Sequence, residues 1–147
     1  MLLTLVQFFL LFLMLLAVSL GSPQSLLSDH PLWAVLGFSF MVVSAGLAVA
    51  AFWSLGRSFR VAPVPKQGAT LVTSGIYRTL RHPMYTAVVS LACGVFVLRS
   101  SWEVGASAAV LIVFYVLKGR YEERLLVDHY PEYKSYKARS RGVIPVR

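Results

Sequence analysis

Two long apolar runs without a single charge leave this chain few ways to fold: Leu2 to Leu20, "LLTLVQFFLLFLMLLAVSL", and Leu32 to Leu55, "LWAVLGFSFMVVSAGLAVAAFWSL". Each is long enough to cross a hydrocarbon layer of about 30 Å as a helix. Two further runs, Met84 to Leu98 and Trp102 to Leu117, hold about 15 residues each, just under the ~17 that span unaided. Only "RSSW" separates them, so they read as a tight helical hairpin that borrows flanking residues or thins the bilayer around it. The expectation is an all-α integral membrane protein of one domain, with four spans at about residues 2–20, 32–55, 83–100 and 101–118. A composition of 57% hydrophobic and 14% charged residues in a chain of 147 excludes an ordinary soluble domain.

The first run is longer than a secretory signal's apolar core of about 7 to 15 residues and has no Lys or Arg before it, which favours a retained span over a cleaved signal. The net charge of +8 is not spread as a nucleic-acid surface would be, and no nucleic-acid partner is expected. Arg57, Arg60, Lys66, Arg78 and Arg81 fall between spans two and three, the remaining Lys and Arg fall from Lys118 onward, and only Arg99 lies elsewhere. With four spans, the central connection and the C-terminal segment share one side of the membrane. The positive-inside rule makes that side, and both termini, cytoplasmic. Cys93 is alone inside an apolar run and reads as a small buried hydrophobe; neither a disulfide nor a metal site is expected.

Between the first two spans, "GSPQSLLSDHP" is a short loop with Ser28 or Asp29 as a helix cap before Pro31 and His30 as an interfacial polar residue. The connection from 56 to 83 is longer than a structureless loop usually is, which points to function. Gly68 and Gly75 mark turns in it, and Pro83 suits the first turn of span three, with His82 held out of the helix before it. After span four, a helix over Lys118 to Tyr130 runs on, and the segment from Pro131 either lies against the headgroups or folds back on the central connection.

Polar residues beside a bilayer are costly, so a dense set of them is informative. Arg78, Arg81 and His82 can bind an anion, Tyr77 and Tyr85 offer aromatic faces and hydroxyls, and Glu122 and Glu123 are the only adjacent acids in the chain. Taken singly, the arginines read more readily as interfacial anchors than as ligands. The glutamates read equally as a solvated helix face paired with Arg120 or Arg124.

The ordered set "LVTSGIYRTLRHPMY", an apolar hairpin and "EERLLVDHYPEYKSYKARSRGVIP" resembles the isoprenylcysteine carboxyl methyltransferase family and its bacterial, phospholipid methyltransferase-like relatives, over roughly residues 56 to 145. The resemblance implies a membrane methyltransferase of the bacterial inner membrane that uses S-adenosylmethionine, with a cytoplasmic cofactor site built from about residues 66–85 and 118–145. No Gly-x-Gly-x-x-Gly loop of a soluble dinucleotide fold occurs. Carried over residue by residue, it assigns Leu71, Val72, Gly75, Tyr77, His82, Pro83, Tyr85, Glu122, Glu123 and Leu126 to the cofactor, and Arg81, Glu123 and Arg139 to the reaction. Arg81 and His82 suit the cofactor's carboxylate, Glu122 or Glu123 its ammonium and ribose hydroxyls, and Tyr77 or Tyr85 its sulfonium. The implied partner is a lipophilic or prenylated methyl acceptor, a carboxylate, reached from the membrane lipids through a gap that the small residues of "GLAVAAFW" would leave. Ile76 replaces the usual Pro of Gly-Pro-Tyr-Arg, His129-Tyr130-Pro131 replaces the usual aromatic–Gly, and Arg141 stands one place from the family's tail arginine, so Arg139 takes that part. A sterol-type reductase using a nicotinamide cofactor and a non-catalytic membrane scaffold remain alternatives.

Overall fold

The computed structural model of the chain describes residues 2–21, 30–55 and 71–143. Ser28, Asp29, Arg57, Arg60, Lys66, Gly68, Ile144, Pro145 and Arg147, on which parts of the sequence reading rest, lie outside the described residues. The described residues form helices α1 (Leu2–Leu20), α2 (Pro31–Leu55), α3 (Pro83–Arg99), α4 (Trp102–His129) and α5 (Tyr133–Arg139), with a 3-10 turn at Gly75–Arg78 before α3. The protein is thus an all-α membrane protein. α1, α2 and α4 are long and apolar enough to cross a bilayer, and α3 is a shorter apolar helix of 17 residues. At 1.5 Å per residue α3 is about 25 Å long, so it reaches across only with its flanking residues.

Large apolar side chains stay exposed on the outer helices, Phe8, Phe9 and Phe12 on α1 and Val35, Phe38 and Val42 on α2 among them, as a lipid-facing surface requires. Between helices the packing rests on small residues instead. Gly37, Ser44 and Ala51 of α2 are buried at seven-residue intervals against α3, and a methyl added to Gly94 would lie 2.8 Å from the Gly37 carbonyl oxygen. Two hydroxyls bridge the same seam: Ser44 Oγ donates to the Ala87 carbonyl at 2.7 Å and Ser90 Oγ to the Phe40 carbonyl at 2.8 Å. Gly46, in the segment expected to leave a gap, faces open space and takes no part in this close approach. Gly94→Val is therefore expected to lower the thermal midpoint in detergent, through overpacking worth about 1–3 kcal/mol, whereas Gly46→Val leaves it unchanged.

α1 and α4 run antiparallel: Gln7 meets Lys118 at one end and Gly21 lies beside Glu103 at the other. Arg99, the one cation away from the basic side, has a local task. Its Nη2 donates to the carbonyls of Val18 at 2.7 Å and Gly21 at 3.2 Å, which closes the C-terminal end of α1 and pins it to the hairpin. The hairpin turns through Ser100, whose φ of 47° is left-handed, and Ser101, whose hydroxyl accepts from the Val104 N–H at the start of α4. At the start of α2, His30 Nδ1 accepts the Leu32 N–H at 3.2 Å, a cap supplied by the residue that read as merely interfacial.

α4 does not stop where its apolar stretch ends. It continues past Lys118 to His129, after which α5 folds back on the central connection. Tyr136 Oη donates to the Tyr77 carbonyl at 2.6 Å, the Arg81 N–H donates to the Arg141 carbonyl at 2.8 Å, and the Arg141 N–H donates to the Thr79 carbonyl at 2.8 Å. Leu80 and Arg141 thus pair in a short parallel bridge. The tail therefore folds back on the central connection.

Candidate functional site

The segment that enters α3 is shaped by three local constraints. Gly75 has φ of +58°, a left-handed conformation that residues with a side chain adopt at a cost, and its missing Cβ leaves room for Ser54 at the end of α2. The Ser54 hydroxyl accepts the next N–H, that of Ile76, at 3.4 Å. Farther on, Pro83 keeps His82 out of the helical region, at φ −129° and ψ 56°, so that the His82 carbonyl receives the N–H groups of Tyr85 and Thr86 at 3.0 Å each. The result is a helix start that presents Arg81, His82 and Tyr85 to the passing face of α4.

That face carries Gly119, Glu122 and Glu123. A Cβ on Gly119 would stand 2.8 Å from Val143 and 3.6 Å from the His82 ring, so glycine lets the histidine and the tail lie against the helix. Both glutamates are buried. Glu123 Oε1 accepts from Arg81 Nε at 2.8 Å and lies 3.3 Å from His82 Nε2, while its Oε2 pairs with Lys137 Nζ of α5 at 2.7 Å. Glu122 Oε1 accepts from Tyr85 Oη at 2.6 Å, and its Oε2 lies 3.9 Å from His82 Nδ1. The two carboxylates therefore have different tasks. Glu123 is enclosed by cations, and Glu122 by a phenol and an imidazole.

Arg81 has little left to offer a ligand. Beyond Glu123, its Nη1 donates to the Lys137 carbonyl at 2.9 Å and to the Ser140 carbonyl. It is the clamp that closes the tail over the cluster. His82 is different: it is 8% exposed, and its Nε2 has no aligned hydrogen-bond partner among the described residues despite the nearby Glu123. An unpaired buried nitrogen is costly and is a common mark of a place where a ligand completes the bonding.

The aromatic residues pack around this core. The Tyr85 ring stacks on His82 with centroids 5.3 Å apart and planes 3° from parallel, meets Tyr115 at 5.0 Å, and carries the Lys118 ammonium 5.0 Å from its centroid. Tyr77 lies in the 3-10 turn, and burial, with Tyr136 and Glu122 adding to it, raises its hydroxyl pKa well above the ordinary value. Burial raises that of Tyr136 as well, so it stays a neutral donor to the Tyr77 carbonyl.

Of the residues assigned from sequence, Arg81, His82, Pro83, Tyr85, Glu122 and Glu123 come together, with Tyr77 and Gly75 beside them. Leu71 and Val72 lie half-buried in the strand-free stretch before the turn, and Leu126 is half-buried one turn beyond the glutamates. Arg139 is not brought in; it is exposed, and its Nε donates to Ser135 of its own helix at 3.2 Å. Nor do Arg120 and Arg124 pair with the glutamates, since both point outward. Sequence reasoning passed over Lys118, Lys137, Tyr115 and Gln7 as site members. The signal for Lys118 was its place immediately after an apolar run and four residues before Glu122, within reach of the same helix face. Nothing comparable marked Gln7, on a different helix. The described residues include no group of three His, Cys, Asp or Glu placed to hold a metal ion.

A family model described as phospholipid methyltransferase matches residues 32–133, from the start of α2 to the start of α5. The chain belongs to that family. Most of the cluster just described is formed within the matched region. The chain is also similar to the cobalt-zinc-cadmium resistance protein CzcN of Cupriavidus metallidurans, 28% identical over 123 residues that cover 82% of this chain and 57% of that protein. It thus spans little more than half the length of that relative. α1, with Gln7, and the greater part of α5, with Lys137, lie outside the family match.

Proposed function

We propose that the protein transfers a methyl group from S-adenosylmethionine to a lipophilic acceptor held in the bilayer, the methylated group being a carboxylate. The observation that carries this reading is the buried His82 set between two carboxylates at the point where α4 leaves its apolar stretch: its Nε2 stands 3.3 Å from Glu123 without an aligned hydrogen bond, and on its other side Glu122 keeps one oxygen free of close hydrogen bonds. Such a donor–acceptor pair fits the carboxylate and the ammonium or ribose hydroxyls of an amino-acid nucleoside.

When bound, S-adenosylmethionine supplies an electrophilic methyl group on a sulfonium. His82 would hold the cofactor's carboxylate, and Glu122 would hold its ammonium or ribose hydroxyls. The Tyr85 ring is already occupied by His82, Tyr115 and Lys118, so Tyr77 would be the aromatic residue for the sulfonium. Glu123, Arg81 and Lys137 act as positioning residues that hold the tail closed and keep water out. A carboxylate acceptor is already anionic at neutral pH and needs no base, so the protein's task is to orient two reactants for in-line displacement.

The reading places the cluster and both termini in the cytoplasm of a bacterial inner membrane. Arg78, Arg81, Lys118, Arg120, Arg124, Lys134, Lys137, Arg139 and Arg141 all gather at that end of the helices, and Arg99 is at the other.

Calorimetry on the full chain in nanodiscs, with S-adenosylmethionine and NADPH titrated in parallel, tests this. Saturable binding of the former alone is the expected result. Binding of NADPH alone would replace the reading with the reductase one, and binding of neither would make the protein a non-catalytic member of its family.

A further inference from the structure

Lys118 is 2% exposed, yet no carboxylate lies within ion-pair distance of its ammonium among the described residues, Glu122 included. Its single hydrogen bond among them goes from Nζ to Gln7 Oε1 at 2.5 Å, and the ammonium lies 5.0 Å from the centroid of the Tyr85 ring. An ammonium has three donors, and burying one with no carboxylate in direct contact is costly, even with the charge of Glu122 acting on it through space. Glu122, one turn farther on, bonds to Tyr85 Oη instead.

The depth of this cation is informative. Lys118 lies about 24 Å along α4 from Trp102, at 1.5 Å per residue, whereas the hydrocarbon layer is about 30 Å thick. Trp102 is exposed and marks the opposite interface. Lys118 therefore sits at the inner edge of the hydrocarbon, where the first polar group of a lipid lies. The glutamates and His82 lie one turn farther out, on the water side.

We propose that Lys118, held by Gln7 against the Tyr85 ring, is the seat of the acceptor's anionic headgroup, a carboxylate on a single-chain lipid that reaches it through the seam between α1 and α4. Gln7 is the positioning residue: it fixes the ammonium through one donor and leaves two for the ligand. This rests on the methyltransferase reading for its biological meaning, but its chemistry can be tested without any methyl donor. The arrangement also gives α1, outside the family match, a part in choosing the acceptor.

The test measures binding to the full chain in phosphatidylcholine nanodiscs from the shift of the thermal midpoint with ligand concentration. Three probes are compared: N-oleoylglycine, its neutral amide, and N-acetylglycine, which has the headgroup without the chain. The expected result is a preference for N-oleoylglycine over the amide of about tenfold or more, the weight of charge-assisted hydrogen bonds, and weak binding of N-acetylglycine. Lys118→Gln removes the preference and Lys118→Arg keeps it. Gln7→Glu supplies the missing counter-charge from within the protein, keeps the fold, and also removes the preference, so the proposal does not depend on Lys118→Gln folding. An equal affinity for acid and amide in the unaltered chain, or a preference that survives Gln7→Glu, overturns the proposal. Equal binding of N-acetylglycine and N-oleoylglycine overturns the lipid as its source. Calorimetry with S-adenosylmethionine on the unaltered chain runs alongside: loss of that binding with the acid preference intact strikes the methyltransferase reading, and the converse strikes only this one.

Discussion

Glu123→Ala is expected to open the tail and to weaken S-adenosylmethionine binding about tenfold or more, while the protein still inserts into the membrane. One carboxylate here holds Arg81 at 2.8 Å and Lys137 at 2.7 Å and stands 3.3 Å from His82. Removing it strands a mostly buried guanidinium among carbonyls and frees α5 from α4. Breaking a buried ion pair costs about 3–5 kcal/mol, and the lower end applies because Lys137 is 47% exposed and screened by water. The loss falls on the tail, since the α2–α3 and α1–α4 seams do not use Glu123. Faster hydrogen exchange confined to residues 131–143 would show it. Wild-type protection there, with wild-type affinity for S-adenosylmethionine, would remove Glu123 from the site.

His82→Ala is expected to act on binding more than on architecture. Its Nε2 lies 3.3 Å from Glu123 without an aligned hydrogen bond, so the folded protein gives up that contact and the ring packing against Tyr85 and beside Gly119. A ligand carboxylate, in contrast, loses a donor in a buried setting, which is worth about 10- to 100-fold in affinity. His82→Gln restores a donor of similar reach and is expected to recover most of the binding. If Gln and Ala weaken S-adenosylmethionine equally and in proportion to the fall in thermal midpoint, His82 serves packing alone.

The membrane class, the apolar helices and the place where polar chemistry would concentrate were legible in the residues, because each depends on local composition. An uncharged run of about 20 apolar residues can do little but span a bilayer. Pro83 likewise dictates the backbone of His82 before any tertiary contact forms. The glutamates were legible only as candidates. A helix face paired with Arg120 or Arg124 and a buried face paired with Arg81 and Lys137 look alike in a sequence, since charge spacing does not say which side is covered. Gln7 shows the limit most plainly. A single amide in an otherwise apolar run carries no signal until a helix more than a hundred residues away places a lysine against it.

The sequence by itself thus determined the solvent of this protein, its helices and the end of the bundle that holds charge, since hydropathy and the rigidity of proline act at short range. Tertiary structure alone decided which charges meet. Arg81 became a clamp for the tail because α5 folds back to it, and His82 lies against α4 beside the two glutamates because Gly119 carries no Cβ there. Lys118 makes no close ion pair among the described residues, and Glu122, one turn on, bonds to Tyr85 instead. Pairing of this kind depends on distances set by helix packing, which no local pattern encodes.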